Sequence, residues 1–356
     1  MEKLPKLIWN EAKLRDNIRF LNKFFDLQSW PITWIPVSKS ICAYPDIIKV
    51  LLDEGASEIA DSRIRNLKAI KSISKNCRTL LLRLPGLHEV KDVIQYADTS
   101  LISEIETLEK LQAEAKAMGI MHRVILMIEL GDLREGVLPK DIIEMGRFIL
   151  KQDHIDWCGI GTNLTCYGGV LPTKEKMESL LKIKDNILFE LDHNLSIISG
   201  GNSSTLSLMF NGDMPEGINQ LRLGEALFLG RDTTSGISIT GMHNDIFTIK
   251  AEIIEVKTKP SIPEGKIGAD AFGKTPVFED IGFHSRAIAA IGRQDIPIEG
   301  LTPIDENIQI LGGSSDHMIL DVQNSQVKVG DILSFNINYS ALLQAMTSPY
   351  IEKRDF

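Results

Sequence analysis

The alternation of apolar and polar positions changes character once along this chain, after about residue 235. Between about 10 and 230, short runs rich in apolar and β-branched residues alternate with longer stretches in which apolar positions recur every three to four residues. The short runs are 33–39, 58–61, 79–84, 100–103, 124–130, 157–162, 195–201 and 220–226. Helical periodicity occupies 46–54, 64–73, 104–118, 141–151 and 174–190, and a further helical run at 12–27 precedes the first strand. Short strands alternating with amphipathic helices are the pattern of parallel β/α architecture. Eight such units predict a closed (β/α)8 TIM-type barrel in preference to an open doubly wound sheet.

After Gly230 the texture becomes strand, turn, strand, with glycine and proline between the runs 247–257, 287–291, 307–311, 317–322 and 331–337. A mostly-β C-terminal domain is expected there. The polar segment Asp232-Thr233-Thr234-Ser235-Gly236 places the boundary at 235/236, giving a barrel domain over 1–235 and a β domain over 236–356. The apolar run within residues 1–10 reads as a strand lent to the second domain.

Composition narrows the function class. The 356 residues are 43% hydrophobic and 24% charged, enough apolar mass for a sizeable core and unlike a disordered chain. With 39 Lys and Arg against 48 Asp and Glu, the net charge of -9 argues against a nucleic-acid partner. No apolar run reaches the roughly 20 residues of a membrane span, and no signal-peptide core follows Met1, so a cytoplasmic protein without a membrane partner is expected. Cys42, Cys77, Cys158 and Cys166 are scattered singly, without metal-knuckle spacing, and read as reduced packing residues. The seven histidines never pair at ligand spacing, so no metal is expected.

In a barrel of this kind the active site is built at the carboxyl ends of the strands. Lys39 falls at the end of the first run, where a desolvated amine suits Schiff-base chemistry; by position alone it reads sooner as one of many surface lysines. The seventh run leads into Gly200-Gly201-Asn202-Ser203-Ser204-Thr205 and then a helix from about Leu206, offering glycine backbone, hydroxyls and free N–H groups to a phosphate. The eighth carries Arg222-Leu223-Gly224-Glu225, a fixed cation and a flexible backbone beside that loop. Each loop alone reads as an N-cap or a closing glycine. Together with Lys39 they point to a phosphate-bearing aldehyde cofactor, pyridoxal 5'-phosphate. Arg134, in the loop after the fifth run, is placed to grip a carboxylate bidentately, and Asn163, after the sixth, to face a cofactor ring.

At these residues the chain resembles the alanine racemase superfamily, the fold-type III pyridoxal-phosphate enzymes, and within it the alanine/ornithine racemase group. The matching motifs run in order: Lys39, the segment from Glu129 to Gly136 with Arg134 kept, Asn202-Ser203, and Arg222-Leu223-Gly224. Closer likeness to the ornithine racemases rests on Ala60-Asp61-Ser62-Arg63, Gly161-Thr162-Asn163-Leu164-Thr165-Cys166, Gly292-Arg293-Gln294-Asp295, Ser314-Ser315-Asp316-His317 and the segments 221–232, 268–273 and 345–350. The resemblance implies that Lys39 forms the internal aldimine, that Arg222 contacts the pyridine nitrogen, and that Ser203 with the Gly224-Glu225 backbone binds phosphate, beside Asn202 and Ser204. It implies a homodimer in which Asp316 reaches the partner's site. The expected reaction is racemisation of an amino acid, ornithine or lysine, with a decarboxylase, a D-amino-acid lyase or a cofactor carrier as the alternatives.

The chain departs from its relatives at three places. Phe272 stands in the slot of the catalytic tyrosine, Met127 where many alanine racemases have a carbamylated lysine, and Ser199 or Gly200 where they have a histidine under the arginine. Phenylalanine cannot move a proton. The second acid/base needed for racemisation is therefore sought among Asp270, Asp316, His317 and His284, in that order. Asp270 or Asp316 would also stabilise a cationic substrate side chain.

Overall fold

The computed structural model describes residues 3–355. By packing the chain divides into two compact units, one spanning 12–244 and the other combining the residues up to 11 with those from 245 onward. The division falls between Asn244 and Asp245, where the sequence had suggested 235/236. The reason lies in Asn17, a fully buried amide on the first helix, Glu11–Asp26. Its Nδ2 donates to Leu227 O at 3.0 Å and His243 O at 2.9 Å, while His243 N–H donates to its Oδ1 at 2.7 Å. Ile239 N–H donates to Gly230 O, so the polar segment doubles back on the barrel instead of leaving it.

The first strand, β1 (Lys6–Trp9), belongs to the second unit, antiparallel to β10 (Phe247–Pro260) and parallel to the C-terminal strand Glu352–Asp355. The strands between are β2 (Thr33–Pro36), β3 (Glu58–Asp61), β4 (Arg78–Leu81), β5 (Thr99–Ile102), β6 (His122–Met127), β7 (Ile155–Gly161), β8 (Ile197–Ser199) and β9 (Gln220–Leu223). They form one parallel eight-stranded sheet in the order β2-β9-β8-β7-β6-β5-β4-β3. A parallel bridge from Val37 to Ala60 joins its two edges, so the expected TIM-type barrel is the architecture observed. Side chains alternate along each strand. Ile35, Val37, Ala60, Leu80, Leu101, Ile125, Met127 and Cys158 therefore share one buried cluster inside the barrel. Met127, fully buried, brings no charge into it.

Helices cover the outer face with apolar stripes. Glu11–Asp26 buries Leu14, Ile18, Leu21 and Phe25, one face at three- and four-residue spacing. The second unit is mostly β, as expected, with β10 central to a mixed sheet that includes β11 (Phe283–Ala289), β12 (Leu301–Pro303), β13 (Gln309–Gly313), β14 (Met318–Asp321) and β15 (Ile332–Ile337). It also holds a helix, Tyr339–Thr347, that the alternating pattern did not announce; Asn338 caps it by accepting from Ala341 N–H at 2.9 Å.

Replacing Asn17 with alanine strands two carbonyls and one N–H in a buried setting. The variant is expected to lose at least about 1–3 kcal/mol of stability by urea titration. Amide exchange at His243 is expected to accelerate more than in the barrel strands; an unchanged midpoint and unchanged exchange would remove 236–244 from the barrel's cooperative unit.

Candidate active site at the carboxyl ends of the barrel strands

Parallel strands closing on themselves bring their carboxyl ends to one rim, and the candidate residues are found there. Lys39 does not end β2, which stops at Pro36; it lies one step beyond, in the 3-10 turn Ser38–Ile41, half-buried. Glu225 is close enough for Lys39 to stabilise its carboxylate, although burial pushes the Glu225 pKa up.

The phosphate-type cradle is assembled by Ser203. Its buried Oγ accepts from Gly224 N–H and Ala226 N–H, each at 3.2 Å, uniting the ends of β8 and β9. A Cβ on Gly224 would lie 3.2 Å from both the Val37 Cβ and the Val37 carbonyl oxygen, so glycine there lets the end of β9 approach the segment that leads from β2 into the turn bearing Lys39. The helix expected after this loop is only Leu206–Asn211, preceded by the 3-10 turn Ser203–Thr205. Its dipole is correspondingly small, and the cradle's strength lies in individual N–H groups and hydroxyls.

Arg222 is buried. Its guanidinium donates to Ser199 Oγ and, at 2.8 Å, to Thr162 O, both uncharged acceptors. Burial pulls its pKa down to about 10, which leaves it a cation at neutral pH. Ser199, and not Gly200, thus occupies the place beneath the arginine. Glu135, Arg134 and Cys166 all contribute to the field at Arg222.

Asn202 bridges the loops after β7 and β8. Its Oδ1 accepts from Ser204 N–H at 2.8 Å, and its Nδ2 donates to Asn163 Oδ1 at 3.0 Å, Leu164 O at 2.8 Å and Cys166 Sγ at 3.4 Å. Asn163 Nδ2 is buried with no protein acceptor. An orphaned donor of this kind needs a partner, and a polar group bound at the rim would supply one.

Arg134 is exposed and forms an ion pair with Glu135, while its backbone N–H donates to Glu129 Oε2 at 3.2 Å. Gly136, at φ +140, has no room for a side chain, since a Cβ would come within 2.5 Å of Glu129 N. The sequence reading missed Asp132. This buried carboxylate accepts from Tyr167 N–H at 3.0 Å, Cys166 N–H at 3.3 Å and Val170 N–H at 3.4 Å, tying the loops after β6 and β7 together. Of the cysteines, Cys77 and Cys158 are packing residues with thiol pKa values pushed up by burial to about 11, whereas Cys166 is exposed at the rim.

The second unit gathers its own cluster. Arg293 N–H donates to Ser314 O and Gln294 N–H to Ser315 O, so the segments around 293 and 315 run against each other. Gln294 Nε2 donates to Asp316 Oδ1 at 2.5 Å, and the Arg293 guanidinium lies 5.0 Å from the Phe272 ring centre. Asp270 accepts from Phe272 N–H and Lys274 N–H at 2.9 Å each; the Lys274 and Phe272 amides hold its carboxyl below the usual range. Asp316 and His317 are exposed neighbours. His284 sits apart, its Nδ1 2.7 Å from Asp321 Oδ2.

The donor set at the rim fits pyridoxal 5'-phosphate: an amine for the aldehyde, converging N–H and hydroxyl groups for phosphate, a buried cation and an orphaned amide. By contrast, a cavity of about 700 Å³ at the barrel's amino end has three of its lining cations engaged with carboxylates. Lys71 pairs with Asp98 at 2.6 Å, Arg78 with Glu58 at 3.4 Å and Arg123 with Asp156 at 3.4 Å.

Comparison with known proteins accords with this geometry. A sequence model of the alanine racemase N-terminal domain matches residues 10–232. The ornithine racemase of Acetoanaerobium sticklandii is 47% identical over 352 residues, covering 98% of this chain and 99% of that one. The lysine racemase of Thermotoga maritima is 40% identical over 350 residues, 98% of each. Among solved structures, the alanine racemase of Clostridium difficile 630 superposes with a TM-score of 0.75 at 19% identity, covering all of this chain and 97% of that one. The chain therefore belongs to the alanine racemase N-terminal domain family.

Proposed function

We propose that this protein is a pyridoxal 5'-phosphate-dependent racemase that interconverts the enantiomers of a basic amino acid, ornithine or lysine. The observation that carries the reading is the convergence of Lys39, Ser203, Arg222 and Gly224 on one rim, in a chain 47% identical over nearly its whole length to an ornithine racemase. The names of its relatives favour racemisation over decarboxylation, lyase chemistry or cofactor carriage.

Lys39 is the covalent anchor for the cofactor aldehyde. Ser203, whose Oγ gathers the Gly224 and Ala226 N–H groups, would hold the phosphate, supported by Asn202 and Ser204; Arg222 would serve the ring nitrogen and Asn163 would offer its unpaired Nδ2. When bound, the cofactor supplies an electron sink that acidifies the substrate Cα–H. The Lys39 amine then moves the α-proton on one face of the substrate. Because Arg222 stays cationic, it would donate a hydrogen bond to the ring nitrogen of the bound cofactor without surrendering a proton to it.

The other face needs a second acid/base, and the reading assigns it to Asp316 or His317 of the partner subunit in a homodimer with shared sites. Both side chains are exposed in the second unit. Asp270, a carboxylate stabilised by two backbone N–H groups, is a poor proton donor and serves the turn around Phe272. His284 is engaged with Asp321. Asp316 is also suited to a substrate ammonium, and Arg134, released from Glu135, to the substrate carboxylate. Among the described residues no helix is long and apolar enough to cross a membrane; the reading places the enzyme in the cytoplasm.

In deuterated water, L-ornithine or L-lysine is expected to lose its α-proton signal and yield both enantiomers by chiral chromatography. Lys39→Ala is expected to abolish turnover and the visible absorbance of the bound cofactor; colour retained through another lysine would sink the anchor assignment. Ser203→Ala is expected to weaken cofactor binding by about 1.5–3 kcal/mol in equilibrium dialysis, the worth of one hydrogen bond to a charged group, and unchanged affinity would move the phosphate elsewhere. Mixing inactive Lys39→Ala and Asp316→Ala subunits is expected to restore part of the activity, since one site of the mixed dimer is then intact; no recovery would argue against shared sites.

A further inference from the structure

We propose that Asp61 is a positioning residue for Lys39, acting through Ser38 to fix the turn that presents the lysine amine; the inference rests on Lys39 being the cofactor anchor. Among the described residues the barrel has seven seams of paired strands, of which β8–β9 registers one pair, while its eighth, between β2 and β3, has no pair within the strands and closes by the bridge from Val37 to Ala60 just beyond β2. One residue further along each chain segment, Ser38 Oγ donates to Asp61 Oδ2 at 2.6 Å. Both residues are fully buried, and the next residue after Ser38 is Lys39. The seam from which the lysine emerges is therefore latched by side chains where a ladder is lacking.

Asp61 is itself anchored. Its Oδ1 accepts from Arg63 N–H at 2.9 Å and Asn66 Nδ2 at 3.0 Å, so both oxygens act as acceptors, as a carboxylate requires. Burial raises its pKa and these donors oppose the rise. A hydroxyl-to-carboxylate bond is among the stronger hydrogen bonds available in a protein. The turn it tethers is also unusual. Cys42 and Ala43 are consecutive non-glycine residues at φ 50, and Cys42 N–H and Ala43 N–H fold back on Lys39 O and Ser38 O at 3.3 Å. Left-handed backbone at such residues persists where neighbouring contacts over-determine it, and the Ser38–Asp61 bond fastens the turn's first residue. The segment Ala60-Asp61-Ser62-Arg63 stood out in the sequence without a role in the chemistry; this latch gives it one.

The test uses the full-length chain stripped of cofactor, mixed with pyridoxal 5'-phosphate and reduced with borohydride, with labelling of Lys39 followed by mass spectrometry. Ser38→Ala leaves Asp61 the Arg63 and Asn66 donors and removes the tether, with it a longer contact from Ser38 Oγ to Ala60 O at 3.4 Å. Its labelling rate at Lys39 is expected to fall about ten- to a hundred-fold, the equivalent of one hydrogen bond to a charged group. Asp61→Asn is expected to match it, and the double variant to be no slower than the slower single, because both remove the same bond. In the loaded enzyme kcat is expected to fall by a similar factor with KM little changed. Ser38→Ala labelled at the wild-type rate overturns the proposal, as does a lowered melting temperature with normal labelling of the folded protein. Should Asp61→Asn not fold, Ser38→Ala decides alone. Labelling of a different lysine in the wild-type chain would instead overturn the assignment of Lys39, so the two failures are distinguishable.

Discussion

Everything at the rim depends on one constraint, the closure of eight parallel strands into a barrel. Parallel strands place all their carboxyl ends on the same side, so residues as distant in sequence as Lys39, Asn163, Ser203 and Arg222 arrive at one place without any long-range motif joining them. Closure also makes the seams unequal. The β2–β3 seam, with its single bridge, is where the sheet's two edges meet, and Lys39, the proposed anchor, follows directly from it. A site built beside a thinly laddered seam has freedom for its turn but must obtain its order from side chains such as Ser38 and Asp61.

The second governing term is the buried Arg222. A guanidinium removed from water loses hydration that its neighbours must replace, and here the replacements are a hydroxyl and a carbonyl, neither carrying a charge. The cation therefore remains electrostatically open to the rim, with Glu135 the acidic group acting on it from the loop after β6. An arginine neutralised by its own carboxylate would offer far less to a ring nitrogen. Ser199 supports the guanidinium without titrating near neutrality, so the support does not vary with pH there.

The strands were legible because an inward-facing residue must be apolar and its neighbours alternate; Ile35 and Val37, or Ile125 and Met127, carry that signal in two letters. Lys39, Ser203 and Arg222 were legible as a set because together they put an amine, a hydroxyl and a cation near successive strand ends, although each alone reads as an ordinary surface, capping or strand residue. Less was readable where geometry depends on the fold itself. Asp132 is an acid in a polar loop until tertiary structure buries it under three backbone N–H groups from another loop. Asp61 is one more strand-end residue until Ser38 is brought to it. The pull of residues 236–244 onto the barrel was hidden for the same reason, because Asn17 lies more than two hundred positions from the carbonyl and the N–H that it satisfies.

The phenylalanine at 272 is best understood through what it touches. Its ring lies beside the Arg293 guanidinium, and Arg293 in turn donates through Nε to Gly313 O at 3.2 Å and pairs with Glu299. A ring over a cation is favoured by its quadrupole whether or not it bears a hydroxyl. The aromatic position is thus explained by holding Arg293 and, through the backbone pairing at Ser314 and Ser315, the segment that bears Asp316 and His317. A phenyl ring makes this contact without carrying a proton. On the proposed function, proton transfer on the second face would fall to a group that this scaffold presents, and the exposed pair at 316 and 317 suits that role better than Asp270, whose carboxylate is held by two backbone N–H groups.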